Sequence, residues 1–201
     1  AAGLGIIYFS FFVYLYIQSN NPLFITISLA FISSLLAFLR FNLLKPIIFL
    51  GDTGSTIIGL FSAVFLIDFL NTPELIKQSL HIFNPYGLML SLFILPLFDT
   101  FRVALLRILK QKSPFSPDKT HIHHLLTNKG YSHAFAAKLI CFIHGFILIE
   151  VYWLKELRQE LILLILLAFM TVLTLVLRNI RYITGKPATD PLAVQEINAT
   201  D

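Results

Sequence analysis

Apolar residues run along this chain in long blocks instead of alternating with polar ones. Six blocks stand out: Leu4–Gln18, Leu23–Phe41, Ser55–Leu70, Tyr86–Leu109, Ala134–Trp153 and Leu161–Leu177. A helix that crosses a bilayer needs about 20 mostly apolar residues, so each block predicts a membrane helix, the first and third being the shortest. Polar or turn-forming strings separate them: Ser19-Asn20-Asn21-Pro22, Asn71-Thr72-Pro73-Glu74 and Lys155-Glu156-Leu157-Arg158. Pro96 falls inside the fourth block and predicts a kinked helix, which a packed membrane bundle tolerates. The pattern predicts an all-α fold, a polytopic membrane helix bundle with about six transmembrane helices. Residues 1–183 form its membrane domain. Residues 184–201 lack periodicity and are expected to be a disordered polar tail on the cytoplasmic side.

Composition sharpens this picture. Hydrophobic residues make up 57% of the chain and charged ones 13%, with a mean hydropathy of +0.80. Soluble domains carry roughly a quarter charged residues. The balance excludes a disordered chain and argues against a water-soluble globule. The single cysteine, Cys141, excludes an internal disulfide framework and a cysteine-based zinc ribbon. If the six spans alternate in direction, one face receives the 40–54 link, the 110–130 loop and both chain ends. Twelve of the 15 Lys and Arg lie on or near that face, and only Lys77, Lys155 and Arg158 lie on the other. The positive-inside rule makes the first face cytoplasmic, and a multi-pass protein of the inner or plasma membrane is expected. The chain opens on Ala1-Ala2-Gly3, without an initiator Met or a basic signal region, and reads as cut from a longer protein.

Two motifs fall on the cytoplasmic side. The first is Phe49-Leu50-Gly51-Asp52-Thr53-Gly54-Ser55, at the entrance to the third block. Its glycines permit a tight turn, and Thr53 or Ser55 is expected to cap the helix that follows. A helix start favours phosphate oxygens, and a carboxylate beside it is a hard oxygen ligand for Mg²⁺. Asp52 as a plain helix cap is the competing account. The second motif is Ser113-Pro114-Phe115-Ser116-Pro117-Asp118-Lys119-Thr120-His121-Ile122-His123-His124, with Arg107, Lys110 and Lys112 just before it. A stiff cationic loop holding imidazoles suits a diphosphate, because imidazole N–H groups donate to phosphate oxygens. Clustered histidines also suit Zn²⁺, and a basic loop also suits lipid headgroups. Asp99 and Arg102 are one helical turn apart, spaced for either a structural ion pair or a substrate contact. Asp68 and Glu150 are expected to meet water at the opposite surface. His133 and His144 read as interfacial or packing residues.

The strings FNLLKPIIFLGDTGS and PLFDTFRVALLRILKQKSPFSPDKTHIHHLL resemble the polyprenyl-phosphate N-acetylhexosamine-1-phosphate transferases, the membrane superfamily of WecA, TagO and MraY. The resemblance runs in order to about Gly130 and more loosely through the last two blocks. It implies transfer of a sugar 1-phosphate from a UDP-N-acetylhexosamine to a polyprenyl phosphate, with Mg²⁺ (or Mn²⁺ in its place) as cofactor, for cell-envelope glycan synthesis. It implies Asp52 as a metal-binding, catalytic carboxylate and His121, His123 and His124 as the motif that orients the nucleotide sugar. Asn42 and Phe49 match positions lining the uridine pocket. Asp99, Arg102, Arg107, Ser113, Asp118 and Lys119 are expected among the substrate-binding residues. The HxHH form resembles the WecA/TagO branch and favours UDP-GlcNAc over a muramyl-pentapeptide donor. Complete members carry two acidic motifs upstream of this region. The resemblance therefore implies the C-terminal part of such an enzyme, partnered by a missing N-terminal part and inactive alone. Partners are the nucleotide sugar, the lipid phosphate and the bilayer, with no nucleic acid. The competing readings are a transporter or a histidine-based metal-binding protein that uses the cationic loop.

Overall fold

The computed structural model describes residues 1–42, 48, 50–71, 85–114, 120–154 and 156–180. Among these, every regular element is a helix: α1 (Ala2–Gln18), α2 (Pro22–Asn42), α3 (Gly51–Asn71), α4 (Pro85–Leu109), α5 (Ile122–Thr127), α6 (His133–Trp153) and α7 (Gln159–Asn179). The chain is a polytopic helical membrane protein. Five helices, α2, α3, α4, α6 and α7, are long and apolar enough to cross a bilayer. The first predicted block forms the 17-residue α1, apolar but shorter than the other five. At about 1.5 Å per residue it falls short of a full hydrocarbon thickness. The helix α4 continues through Pro96. The expected tail, residues 184–201, lies outside the described residues, as does the domain boundary at 183.

The helices fall into two compact units. The first holds residues 1–94 and 141–166, the second residues 95–140 and 167–201.

In the first unit, α1 turns back on α2 through Asn20, whose φ of 51° suits an asparagine better than most side chains. Pro22 then opens α2, where its missing N–H costs nothing. The core is aromatic. Phe9 stacks on Phe31 at 4.3 Å, Tyr16 stacks on Phe24 at 4.6 Å, and Phe65 of α3 meets Phe9, Phe12, Tyr16 and Phe24. Offset and edge-on ring pairs of this kind add about 0.5–1.5 kcal/mol each beyond simple burial. Gly5 makes the close approach: a Cβ there would lie 2.9 Å from Leu35 and 3.3 Å from Ile58. Asp68 does not simply meet water as expected. Tyr16 donates its hydroxyl to Asp68 Oδ2 at 2.7 Å across 52 residues of chain, a contact that local spacing cannot reveal. His144 is fully buried, its ring edge-on to Tyr8, in keeping with a packing role.

In the second unit, the Leu95–Leu109 part of α4 carries the loop that leads to α5. Ile122 and Leu126 of α5 are buried and anchor it. Lys129 is also buried, and its Nζ donates to the Arg178 carbonyl at 2.6 Å and to that of Ile180. Those carbonyls lie at the end of α7, where a cation satisfies otherwise orphaned acceptors and complements the helix dipole.

Candidate functional site

The Asp52 motif begins at Gly51, whose φ of 65° is a conformation that side-chain-bearing residues rarely adopt. The helix α3 starts there, four residues earlier than the apolar block suggests, so the Gly-Asp-Thr-Gly-Ser string is helical and not a preceding loop. This corrects the expected cap. The Ser55 hydroxyl lies inside the helix and donates back to the carbonyls of Gly51 and Asp52, at 3.2 and 3.0 Å. Thr53 is likewise helical. Asp52 occupies the first turn and is exposed, and its carboxylate has no hydrogen-bond or ion-pair partner among the described residues. Gly54 leaves room for Leu50, whose side chain would lie 2.7 Å from a Cβ at that position.

Asn42 ends α2 and closes the link before this motif. Its Oδ1 accepts the Ile48 N–H at 3.0 Å, and its Nδ2 donates to the Ile48 carbonyl. Phe49, the expected uracil-stacking residue, lies outside the described residues.

The histidine motif is built from α4 outward. Asp99 and Arg102 form the ion pair that their spacing allows, at 2.8 Å. Both then reach across the loop. Arg102 Nη2 donates to the Thr120 carbonyl at 2.6 Å, and Arg107 Nη1 donates to the Pro114 carbonyl. The two arginines thus hold the residues on either side of 115–119. Asp99 accepts from the Ile122 N–H, with both carboxylate oxygens at 3.1 Å, and from His121 Nδ1 at 3.1 Å. The first amide of α5 is therefore satisfied by a carboxylate from another helix. Asp118 and Lys119 lie outside the described residues, whereas Ser113 is described and exposed.

This arrangement gathers three imidazoles. The His121 and His123 rings are nearly parallel, with centroids 6.2 Å apart, and the His123 and His124 centroids are 4.0 Å apart. The His123 imidazolium is disfavoured, and its pKa falls below the ordinary 6.5, first by partial burial and then by His124 and His121, with Asp99 opposing. At neutral pH the His123 ring is therefore neutral, with one N–H donor and one acceptor. Lys110 and Lys112, on the same loop, are exposed. Among the described residues no group of three or more His, Cys, Asp or Glu could hold a metal ion. The histidine-only metal reading therefore gains no support.

Residues 1–70 match the family description "Glycosyl transferase family 4". A Bacillus subtilis (strain 168) protein named "Probable undecaprenyl-phosphate N-acetylglucosaminyl 1-phosphate transferase" is 35% identical over 149 residues, which is 73% of this chain and 39% of the relative. The chain is a homologue of this Bacillus subtilis protein. A Haemophilus influenzae "Undecaprenyl-phosphate alpha-N-acetylglucosaminyl 1-phosphate transferase" is 36% identical over 139 residues, 64% of this chain and 37% of its own length. A Mycolicibacterium smegmatis "Decaprenyl-phosphate N-acetylglucosaminephosphotransferase" is 32% identical over 118 residues, 57% of this chain and 29% of the relative. The homologue thus spans less than two fifths of these relatives. No solved structure matches. The family match covers Asn42 and Asp52. A match over 73% of the chain necessarily includes Asp99 and His121–His124, wherever it begins.

Local spacing exposed the Asp99–Arg102 pair but not its targets, Thr120 and Ile122, which lie 18 and 23 residues from their partners.

Proposed function

We propose that this chain takes part in transferring N-acetylglucosamine 1-phosphate from UDP-N-acetylglucosamine to undecaprenyl or another polyprenyl phosphate, at the cytoplasmic face of the inner or plasma membrane. The observation that carries the reading is the run of three imidazoles, tied by Asp99, Arg102 and Arg107 to the helix before it, in a homologue of transferases named for polyprenyl phosphates. In the reaction an oxygen of the lipid phosphate attacks the β-phosphorus of the nucleotide sugar. The bond from that phosphorus to the bridging oxygen breaks, and UMP leaves with the electron pair. Both reactants are anions, so the barrier is electrostatic and positional, and fixed donors lower it. His123 and His124 donate N–H bonds to the diphosphate, His121, with its Nδ1 on Asp99, turns Nε2 as an acceptor toward a donor group of the nucleotide sugar, and Lys110 and Lys112 add positive charge.

Mg²⁺ fits one residue here. Asp52 is an exposed carboxylate, and magnesium characteristically takes one or two carboxylates together with substrate phosphates and water. Asp52 would hold the ion, which when bound would neutralise charge on the departing phosphate. A carboxylate that holds the ion is not also the general base.

The resemblance locates the family's acidic motifs outside these 201 residues, so the chain alone is expected to release no UMP. The test is UMP release in proteoliposomes holding polyprenyl phosphate, UDP-GlcNAc and Mg²⁺. It is run with the chain alone and with the chain joined to the upstream segment of the Bacillus subtilis relative. The joined protein should turn over, and Asp52→Asn should cut its rate by about 100-fold or more. Silence of the joined protein, or an Asp52→Asn variant as fast as the parent, would overturn the reading.

A further inference from the structure

Asp99 makes more contacts than an ion pair requires. Its side chain is 13% exposed and that of Arg102 is 16% exposed, so the pair is largely withdrawn from water. Around this one carboxylate converge the Arg102 guanidinium, the Ile122 amide and the His121 ring. Each fixes a different thing. Arg102 joins the carboxylate to the Thr120 carbonyl, immediately before the histidines. The Ile122 amide is the first of α5, so its bond fixes where that helix begins and therefore the register of His123 and His124. The His121 bond fixes a tautomer. A carboxylate can only accept, so His121 Nδ1 must carry the proton and Nε2 is the nitrogen turned away from Asp99. His121 stays accessible, its side chain 32% exposed.

We propose that Asp99 is a positioning residue for the histidine motif, one that sets the ring orientation and tautomer of His121 and the starting point of the helix bearing His123 and His124. Arg102 is its partner in this role. The assignment revises the expectation that the two bind substrate directly: the Asp99 carboxylate and Arg102 Nη2 are engaged by each other and by the protein's own loop. Its link to catalysis rests on the proposed transfer reaction, but the device itself does not.

The test uses the full 201-residue chain in nanodiscs, with histidines labelled with ¹⁵N and His121 assigned by comparison with His121→Gln. Spectra are recorded at a pH high enough to observe neutral rings, and the expected result is His121 mainly in the Nδ1–H form, the minority tautomer of a free histidine side chain. In Asp99→Asn the side-chain amide can donate to Nδ1, so the spectrum should switch to the Nε2–H form. A wild-type His121 already in the Nε2–H form would overturn the proposal without recourse to any variant, as would a spectrum indifferent to Asp99→Asn. UDP-GlcNAc is then titrated while the His123 and His124 signals are followed. Asp99→Asn should weaken its apparent affinity roughly tenfold, and Asp99→Glu should recover part of that loss. Equal affinity in wild type and Asp99→Asn would overturn the link to the nucleotide sugar. If the nucleotide sugar moves no histidine signal even in the wild-type chain joined to the upstream segment of the Bacillus subtilis relative, the transfer reading fails, while the tautomer spectrum still decides the role of Asp99.

Discussion

A histidine between two others is harder to protonate than one alone. His123 shows this, because partial burial and its imidazole neighbours all favour the neutral ring. The folded pKa lies below the unfolded one, so between the two values the unfolded loop binds more protons. The stability this contributes is fully present above about pH 6.5 and is lost as pH falls through the lower folded value. The protection factors of the Ile122–Thr127 amides should therefore fall as pH is lowered from 7.5 to 5.5, even though intrinsic exchange slows, and His123→Gln should flatten the response. An unchanged protection factor in wild type would contradict this. Much at this scale was legible in sequence. Three histidines in four residues are conspicuous, and Asp99 and Arg102 announce their pairing by spacing. Tyr16 on Asp68, and Asn42 on the backbone of Ile48, were not legible, because tertiary packing and loop closure chose those partners.

Among the elements, the long helices were easiest to foresee, because a bilayer demands a run of apolar residues and leaves few ways to supply it. The start of α3 was harder. Gly-Asp-Thr-Gly-Ser reads as turn-forming, yet one left-handed glycine lets the helix begin at Gly51. The six-residue α5 was missed, being too short to show periodicity; its entry depends on the Asp99 carboxylate and its anchoring on buried Ile122 and Leu126. Lys129 ties the chain just after α5 to the end of α7, and nothing in its local sequence announces this. Lys129→Met keeps the length of the side chain but removes a charged donor from two helix-end carbonyls. The expected cost is about 1–3 kcal/mol, offset in part by the easier burial of methionine. It should appear as a lower unfolding temperature in detergent and as faster exchange at the end of α7. A variant as stable as wild type would show that water serves those carbonyls equally well.

For the whole molecule, the open question is which way the helices point. A count of spans from the first residue is fragile, because the 17-residue α1 falls short of the other five. The sidedness of the histidine loop does not need that count. Only α6 separates it from the segment 154–158, so if α6 crosses the bilayer the two lie on opposite faces. Their cations differ sharply: Arg102, Arg107, Lys110, Lys112, Lys119, Lys129 and Lys138 flank or fill the loop, against Lys155 and Arg158 in that segment. That asymmetry predicts a cytoplasmic histidine loop. Lys112 and Glu156 are both exposed, which makes them good reporters once Cys141 is replaced by serine. With a membrane-impermeant maleimide on intact bacterial cells, Glu156→Cys should label and Lys112→Cys should not, until the membrane is opened. The reverse pattern would put the imidazoles on the outer face, away from any cytoplasmic nucleotide sugar, and would end the transfer reading. Labelling of both sites from outside would instead deny that α6 crosses the membrane. Because each outcome turns on one helix and two loops, the sidedness of the histidines is decided whatever α1 does.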